Sequence, residues 1–171
     1  GEPPDLIHMV SYLADGIVLV KSIRELGIPS QLTGAAAGFA HPKFLEQAGA
    51  AANGLLIATL WSGELPYPGA KEYYDAYLAT YGTAPAYQGA EAYSALLVAA
   101  DALKRAPTLE PDAVRKALDK TYMMTPFGPV KFYSYGDFER QNSVRTQVLR
   151  VEDGQFQVVW PADLATTSAA P

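Results

Sequence analysis

The sequence predicts an α/β protein organised around a parallel sheet, and three observations carry that prediction. Short apolar runs at 6–10, 30–33 and 55–61 alternate with helical patterns at 15–26 and 41–48. Strand–helix–strand–helix–strand at the head of a chain argues for right-handed βαβ units. The chain has 171 residues, of which 49% are hydrophobic and 18% charged, enough to bury a sizeable core without staples.

Leu6-Ile7-His8-Met9-Val10 is a continuous apolar run, as a buried strand requires. Asp15 to Leu26 turns Leu19, Val20, Ile23 and Leu26 to one side and Lys21, Arg24 and Glu25 to the other, and Gly27 suits the position that ends such a helix. Ser30-Gln31-Leu32-Thr33 reads as a strand. It runs into Gly34-Ala35-Ala36-Ala37-Gly38, a strand-to-helix turn first and a binding loop second. His41-Pro42 opens a helix to about Ala48, and Leu55 to Trp61 is the clearest strand. Trp61 to Gly69 is a turn-rich connector.

Ala70 to Thr80 reads as a helix, with Tyr74, Tyr77, Leu78 and Tyr81 as a core or lobe-contact stripe. Gln88 to Lys104 is the longest apolar periodic run. Tyr93, Leu96, Leu97, Ala100 and Leu103 recur at spacings of three and four, which predicts a helix whose stripe lies against a sheet or other helices. Pro111 suits the first turn of a further helix that runs to about Asp119, with Asp112 near its positive end and Lys116 and Lys120 towards its negative end. Thr125 to Pro129 is a turn, and Val130 to Tyr133 alternates weakly as a strand. Thr146–Val151 and Gln155–Trp160 flank Asp153-Gly154, a strong hairpin signal. Residues 162–171 are rich in small side chains and are predicted to be disordered.

Composition excludes several kinds of chemistry. A net charge of −5 and no basic cluster argue against nucleic-acid binding. The absence of cysteine removes disulfides and thiolate chemistry. Only His8 and His41 are available, in no metal-binding spacing, so neither a metal nor another cofactor is expected. No G-x-S-x-G elbow exists, and Ser94 reads as helix packing. Asp15, Glu25, Asp75 and Asp112 read as solvated helix faces or termini, so the chain is not expected to be an enzyme. No run approaches the roughly 20 apolar residues of a membrane span. The opening Gly-Glu-Pro-Pro carries no signal peptide and suggests a mature protein or a fragment. Among the eleven tyrosines, Tyr12 and Tyr87 each fall at a helix start after a strand or a break. Strand ends in α/β sheets are where ligands bind. Gln88 adjoins Tyr87.

The passage from Leu6 to Gly27, with Asp5, Tyr12, Asp15 and Arg24-Glu25-Leu26-Gly27, resembles type I extracytoplasmic solute-binding proteins of the branched-chain amino acid class of ABC importers. Gly54 before Leu55–Trp61, Tyr74 to Pro85 (YDAYLATYGTAP), Ala92-Tyr93-Ser94-Ala95, Phe127 to Phe132 followed by Gly136-Asp137, and Gly154 to Pro161 are similar to further passages of that family, in the same order.

The resemblance implies two α/β lobes that close on a small molecule and deliver it to a membrane permease, in the periplasm. It also implies that this chain is the C-terminal portion of such a protein. Residues 1–60 and 138–161 then fall in one lobe and 67–132 in the other, with crossings at 61–66 and 133–137. The exposed edges of such a portion call for a missing N-terminal part or for self-association. Carried over residue by residue, Tyr12 matches an aromatic ligand contact, and Tyr87 and Gln88 lie beside another. Ala36 stands where amino-acid binders place an acid for the α-ammonium group. An ammonium buried without an anion is costly, so an aliphatic or aromatic carboxylic acid fits better, with Tyr12, Phe39 and Tyr87 as stacking surface. Two alternatives stay open: a ligand-sensing domain of a receptor or regulator with the same fold, and an α/β enzyme with an unrecognised site.

Overall fold

The computed structural model describes residues 1–35 and 37–167. The chain divides into two compact units, residues 1–64 with 146 onward, and residues 65–145.

The first unit is built on a five-stranded sheet. Its strands are β1 (Leu6–Val10), β2 (Gln31–Ala35), β3 (Leu56–Thr59), β8 (Gln147–Glu152) and β9 (Gln155–Trp160), side by side in that order. β1, β2 and β3 are parallel, while β8 and β9 add antiparallel. Two helices, α1 (Leu13–Glu25) and α2 (Pro42–Ala48), connect the parallel strands. Inward residues alternate cleanly along the strands: Met9, then Leu32, Ile57, Leu149 and Val151 are buried against Ile17 and Val20 of α1 and Phe44 and Ala48 of α2. Of the intervening residues, Leu6, Val10 and Ala58 are exposed, while Thr33, Leu56, Val148 and Arg150 are half-buried. Parallel strands are ordinarily covered on both faces; here the covered face is the one that carries α1 and α2.

Local chemistry accounts for the boundaries. Extended Tyr12 precedes α1, so the helix begins at Leu13, two residues before the Asp15 start that the charge pattern predicts; Asp15 then lies in the first turn, where the helix dipole favours a carboxylate. His41 caps α2, its Nδ1 accepting the N–H of Lys43 at 3.1 Å, and Pro42 occupies the first turn. The β8–β9 hairpin turns at Asp153 and Gly154, both with positive φ, 48° and 74°. That is the backbone a two-residue primed turn needs and the reason Asp-Gly signals it.

Two stretches differ from expectation. Residues 162–167 do not trail free: Leu164 is buried and donates its N–H to Pro161 O, and Thr166 donates to Val158 O at 2.9 Å. Residues 168–171 of the predicted tail lie outside the described residues. The return between units falls between 145 and 146 rather than at 133–137. The predicted return point instead folds into the hairpin of β6 (Tyr133–Tyr135) and β7 (Phe138–Gln141), in the second unit. Its strands are exposed throughout and so carry no alternating pattern.

The second unit contains α3 (Ala70–Tyr81), α4 (Tyr87–Arg105), α5 (Pro111–Asp119), the β6–β7 hairpin, and the hairpin of β4 (Tyr122–Thr125) and β5 (Gly128–Lys131). The buried stripe of α4 is Ala90, Ser94, Val98 and Ala102. The larger residues that periodicity assigns to the core point elsewhere: Tyr93, Leu96 and Leu103 are exposed, Leu96 by 66%. The helix is apolar almost all round and so carries two stripes. Its small-residue side is the one that packs, because alanine and serine permit close approach. Arg105 locks α4 to α5, donating to Ala117 O at 2.7 Å and pairing with Asp101.

Candidate ligand-binding site

The predicted site residues fall in both units. In the first, Tyr12 ends the loop after β1 and is 76% exposed. Its backbone is held rather than free: its carbonyl accepts the N–H of Gly16 at 2.9 Å and the Ser11 hydroxyl at 3.1 Å. A tyrosine with an anchored main chain and an open ring presents a flat apolar face with a polar tip.

Phe39 has a different place from the one the sequence suggests. It is 0% exposed and packs edge-on against Phe44, ring centroids 5.3 Å apart. A ring with no accessible face cannot stack on a ligand; it belongs to the core beneath the loop. Ala36 lies outside the described residues.

Three glycines make this arrangement possible, and none stands out in the sequence as functional. A Cβ on Gly34 would lie 2.6 Å from the Phe39 ring, and one on Gly16 would lie 3.0 Å from it. A Cβ on Gly38 would lie 2.7 Å from both the Leu13 nitrogen and the Tyr12 oxygen. The spacing of Gly34 and Gly38 is visible in the sequence; Gly34 meets Phe39, five positions on, but Gly38 meets Tyr12 and Leu13, more than twenty positions back.

In the second unit, Tyr87 and Gln88 are neighbours in the first turn of α4, Tyr87 half-buried and Gln88 exposed. Ala86 precedes the helix and supplies no side-chain cap. Behind them runs a tyrosine ladder: Tyr73 to Tyr77 at 5.9 Å, Tyr77 to Tyr81 at 4.6 Å, and Tyr73 to Tyr93 of α4 at 5.1 Å. Tyr73 carries the ring contact from α3 to α4; Tyr77 and Tyr81 belong to the predicted stripe, while Tyr73 takes the place that the pattern gave to Tyr74. Burial pushes the Tyr73 hydroxyl above its ordinary pKa, with the neighbouring tyrosines adding to it. Gly89 lets Tyr73 pass, since a Cβ there would lie 2.8 Å from its hydroxyl oxygen. The ladder therefore sits directly under the turn that bears Tyr87 and Gln88.

Among the described residues, no group of three or more His, Asp or Glu side chains is placed to hold a metal ion, and no helix is long and apolar enough to cross a membrane.

No curated protein matches the chain significantly. Among solved structures, a leucine-binding protein, LivK, from Thermotoga maritima is 25% identical, with a TM-score of 0.76 over 91% of this chain and 43% of its own. A putative branched-chain amino acid ABC transporter protein from Rhodospirillum rubrum is also 25% identical, with a TM-score of 0.72 over 91% of this chain and 44% of its own. The LivJ substrate-binding protein of Streptococcus pneumoniae, solved with isoleucine, is 23% identical, with a TM-score of 0.76 over 92% and 45% of the two chains, and shares the fold. This chain thus spans less than half the length of the solved structures it matches. The family model described as periplasmic binding protein matches residues 2–155. The chain belongs to the periplasmic binding protein family, with the α/β fold of its type I members.

Proposed function

We propose that this chain is the C-terminal portion of an extracytoplasmic solute-binding protein that captures a small carboxylic acid, aromatic acid or amino-acid-like ligand between two lobes and hands it to an ABC-importer permease. It works in the periplasm and catalyses no reaction. The observation that carries this reading is the exposed, backbone-anchored Tyr12 at the end of a parallel strand, in a chain whose family model runs from residue 2 to residue 155. Tyr12, Tyr87 and Gln88 are the proposed ligand contacts; Phe39 acts from beneath the loop that follows β2. Ala36 brings no anion, which favours an acid without a free α-ammonium group.

The exposed sides of β1 and α4 support the same reading. Leu6 and Val10 line an edge strand, and Leu96 and Leu103 an open helix face. Surfaces of this kind are ordinarily covered. An N-terminal portion of the same protein is the proposed cover, and self-association is the substitute where that portion is missing.

Isothermal titration of the full-length protein with L-leucine, L-isoleucine, benzoate and phenylacetate tests the proposal. Saturable one-to-one binding of a member of this panel is the expected result. Absence of binding by all four, or turnover of any of them, would overturn it.

A further inference from the structure

We propose that Gly38 is a positioning residue for Tyr12: its bare Cα lies against the Tyr12–Leu13 peptide and fixes where the tyrosine ring is presented. This rests on the reading of Tyr12 as a ligand contact. The loop after β2 is wedged from below by Phe39, which is wholly buried between Gly34 of β2 and Gly16 of α1. With the wedge seated, Gly38 meets the main chain of the β1–α1 junction. A Cβ there would sit 2.7 Å from both the Leu13 nitrogen and the Tyr12 oxygen. Those atoms are backbone, so no side-chain rotation relieves the overlap, and one of the two loops has to move. The Tyr12 oxygen is also the acceptor for Gly16 N–H, and Gly16 touches the same Phe39 ring. Phe39, Gly16, Gly38 and Tyr12 thus form a closed mechanical circuit: a shift at Gly38 is passed to Tyr12 both directly and through the first turn of α1.

The β1–α1 loop therefore does not set the position of Tyr12 alone. A chain with any side chain at position 38 presents the same tyrosine in a different place, so ligand affinity becomes sensitive to a residue whose own side chain touches nothing in the ligand.

The test uses the chain with 3-fluorotyrosine introduced only at position 12, read by fluorine NMR without ligand. Gly38→Ala is expected to shift or split the resonance. Gly154→Ala is the control: it strains the positive-φ turn of the β8–β9 hairpin, where a Cβ would have nothing within 4 Å, so it lowers stability without moving the signal. Should Gly38→Ala fail to fold, Phe39→Leu withdraws the wedge and is expected to shift the resonance in its place. An unmoved resonance in a folded Gly38→Ala or Phe39→Leu protein, or an equal shift in Gly154→Ala, overturns the inference. The ligand reading fails separately, by unchanged binding of the titrated acids on Tyr12→Ala.

Discussion

Ser94 of α4 accepts the backbone N–H of Phe127 at 3.1 Å, and both residues are buried. The bond ties the long helix to the turn between β4 and β5. Ser94→Ala leaves that N–H without its partner, and an unsatisfied buried donor costs about 1–3 kcal/mol. Urea unfolding followed by circular dichroism is expected to show a lower midpoint for Ser94→Ala with little change in slope. An unchanged midpoint would mean that the amide finds another acceptor.

Phe39 and Tyr12 are both aromatic and lie close in the fold, yet they are predicted to respond in opposite ways to truncation. Phe39→Ala removes a fully buried ring and is expected to cost about 3–5 kcal/mol. Tyr12→Ala removes an exposed ring and is expected to change stability by no more than about 0.5 kcal/mol. Urea titration of the two variants side by side decides between a core and a ligand-facing role for each.

His41 makes the stability of the first unit depend on pH. Its pKa is lowered, first by burial and then by the charge of Lys43, from the ordinary 6.5. Its Nδ1 accepts the Lys43 N–H, a role open only to the neutral ring. The folded chain therefore binds fewer protons than the unfolded one near this pH. The stabilisation is complete above 6.5 and is lost as the pH falls through that value towards the lowered folded pKa. His41→Asn, which retains a capping side chain, is expected to flatten the dependence of the thermal midpoint between pH 7.5 and 5.5. An unaltered dependence in the variant would assign it to other groups.

The exposed apolar faces of β1 and α4 are expected to make the isolated chain associate. Sedimentation velocity over a hundredfold range of concentration should show the average mass rising, and Val10→Lys together with Leu96→Lys should suppress the rise. A monodisperse monomer at the highest concentration would contradict the proposal that these faces are normally covered.

The elements that could be read from sequence are those whose signals are local. His41-Pro42 announces a capped helix start, Pro111 marks the first turn of its helix, and Asp153-Gly154 names its turn. The errors arise where distant residues decide. Phe39 follows a run of small residues, and an apolar ring there looks the same whether it faces a ligand or a core. Gly16 and Gly34, which open the space it fills, settle the matter. In α4, periodicity found a true apolar stripe but not the one that packs, since large side chains weigh more in a pattern than the alanines that allow contact. The β6–β7 hairpin is exposed on both faces and so has no pattern to find.

The central claim, that Tyr12 helps to hold a small ligand, is tested most directly by calorimetric titration of the full-length protein with whichever acid of the panel binds. Wild type, Tyr12→Phe and Tyr12→Ala would be compared. Stacking by an aromatic face is worth about 0.5–1.5 kcal/mol, so Tyr12→Ala is predicted to weaken binding by up to about tenfold, while Tyr12→Phe stays near wild type. Equal affinity for all three would contradict the account.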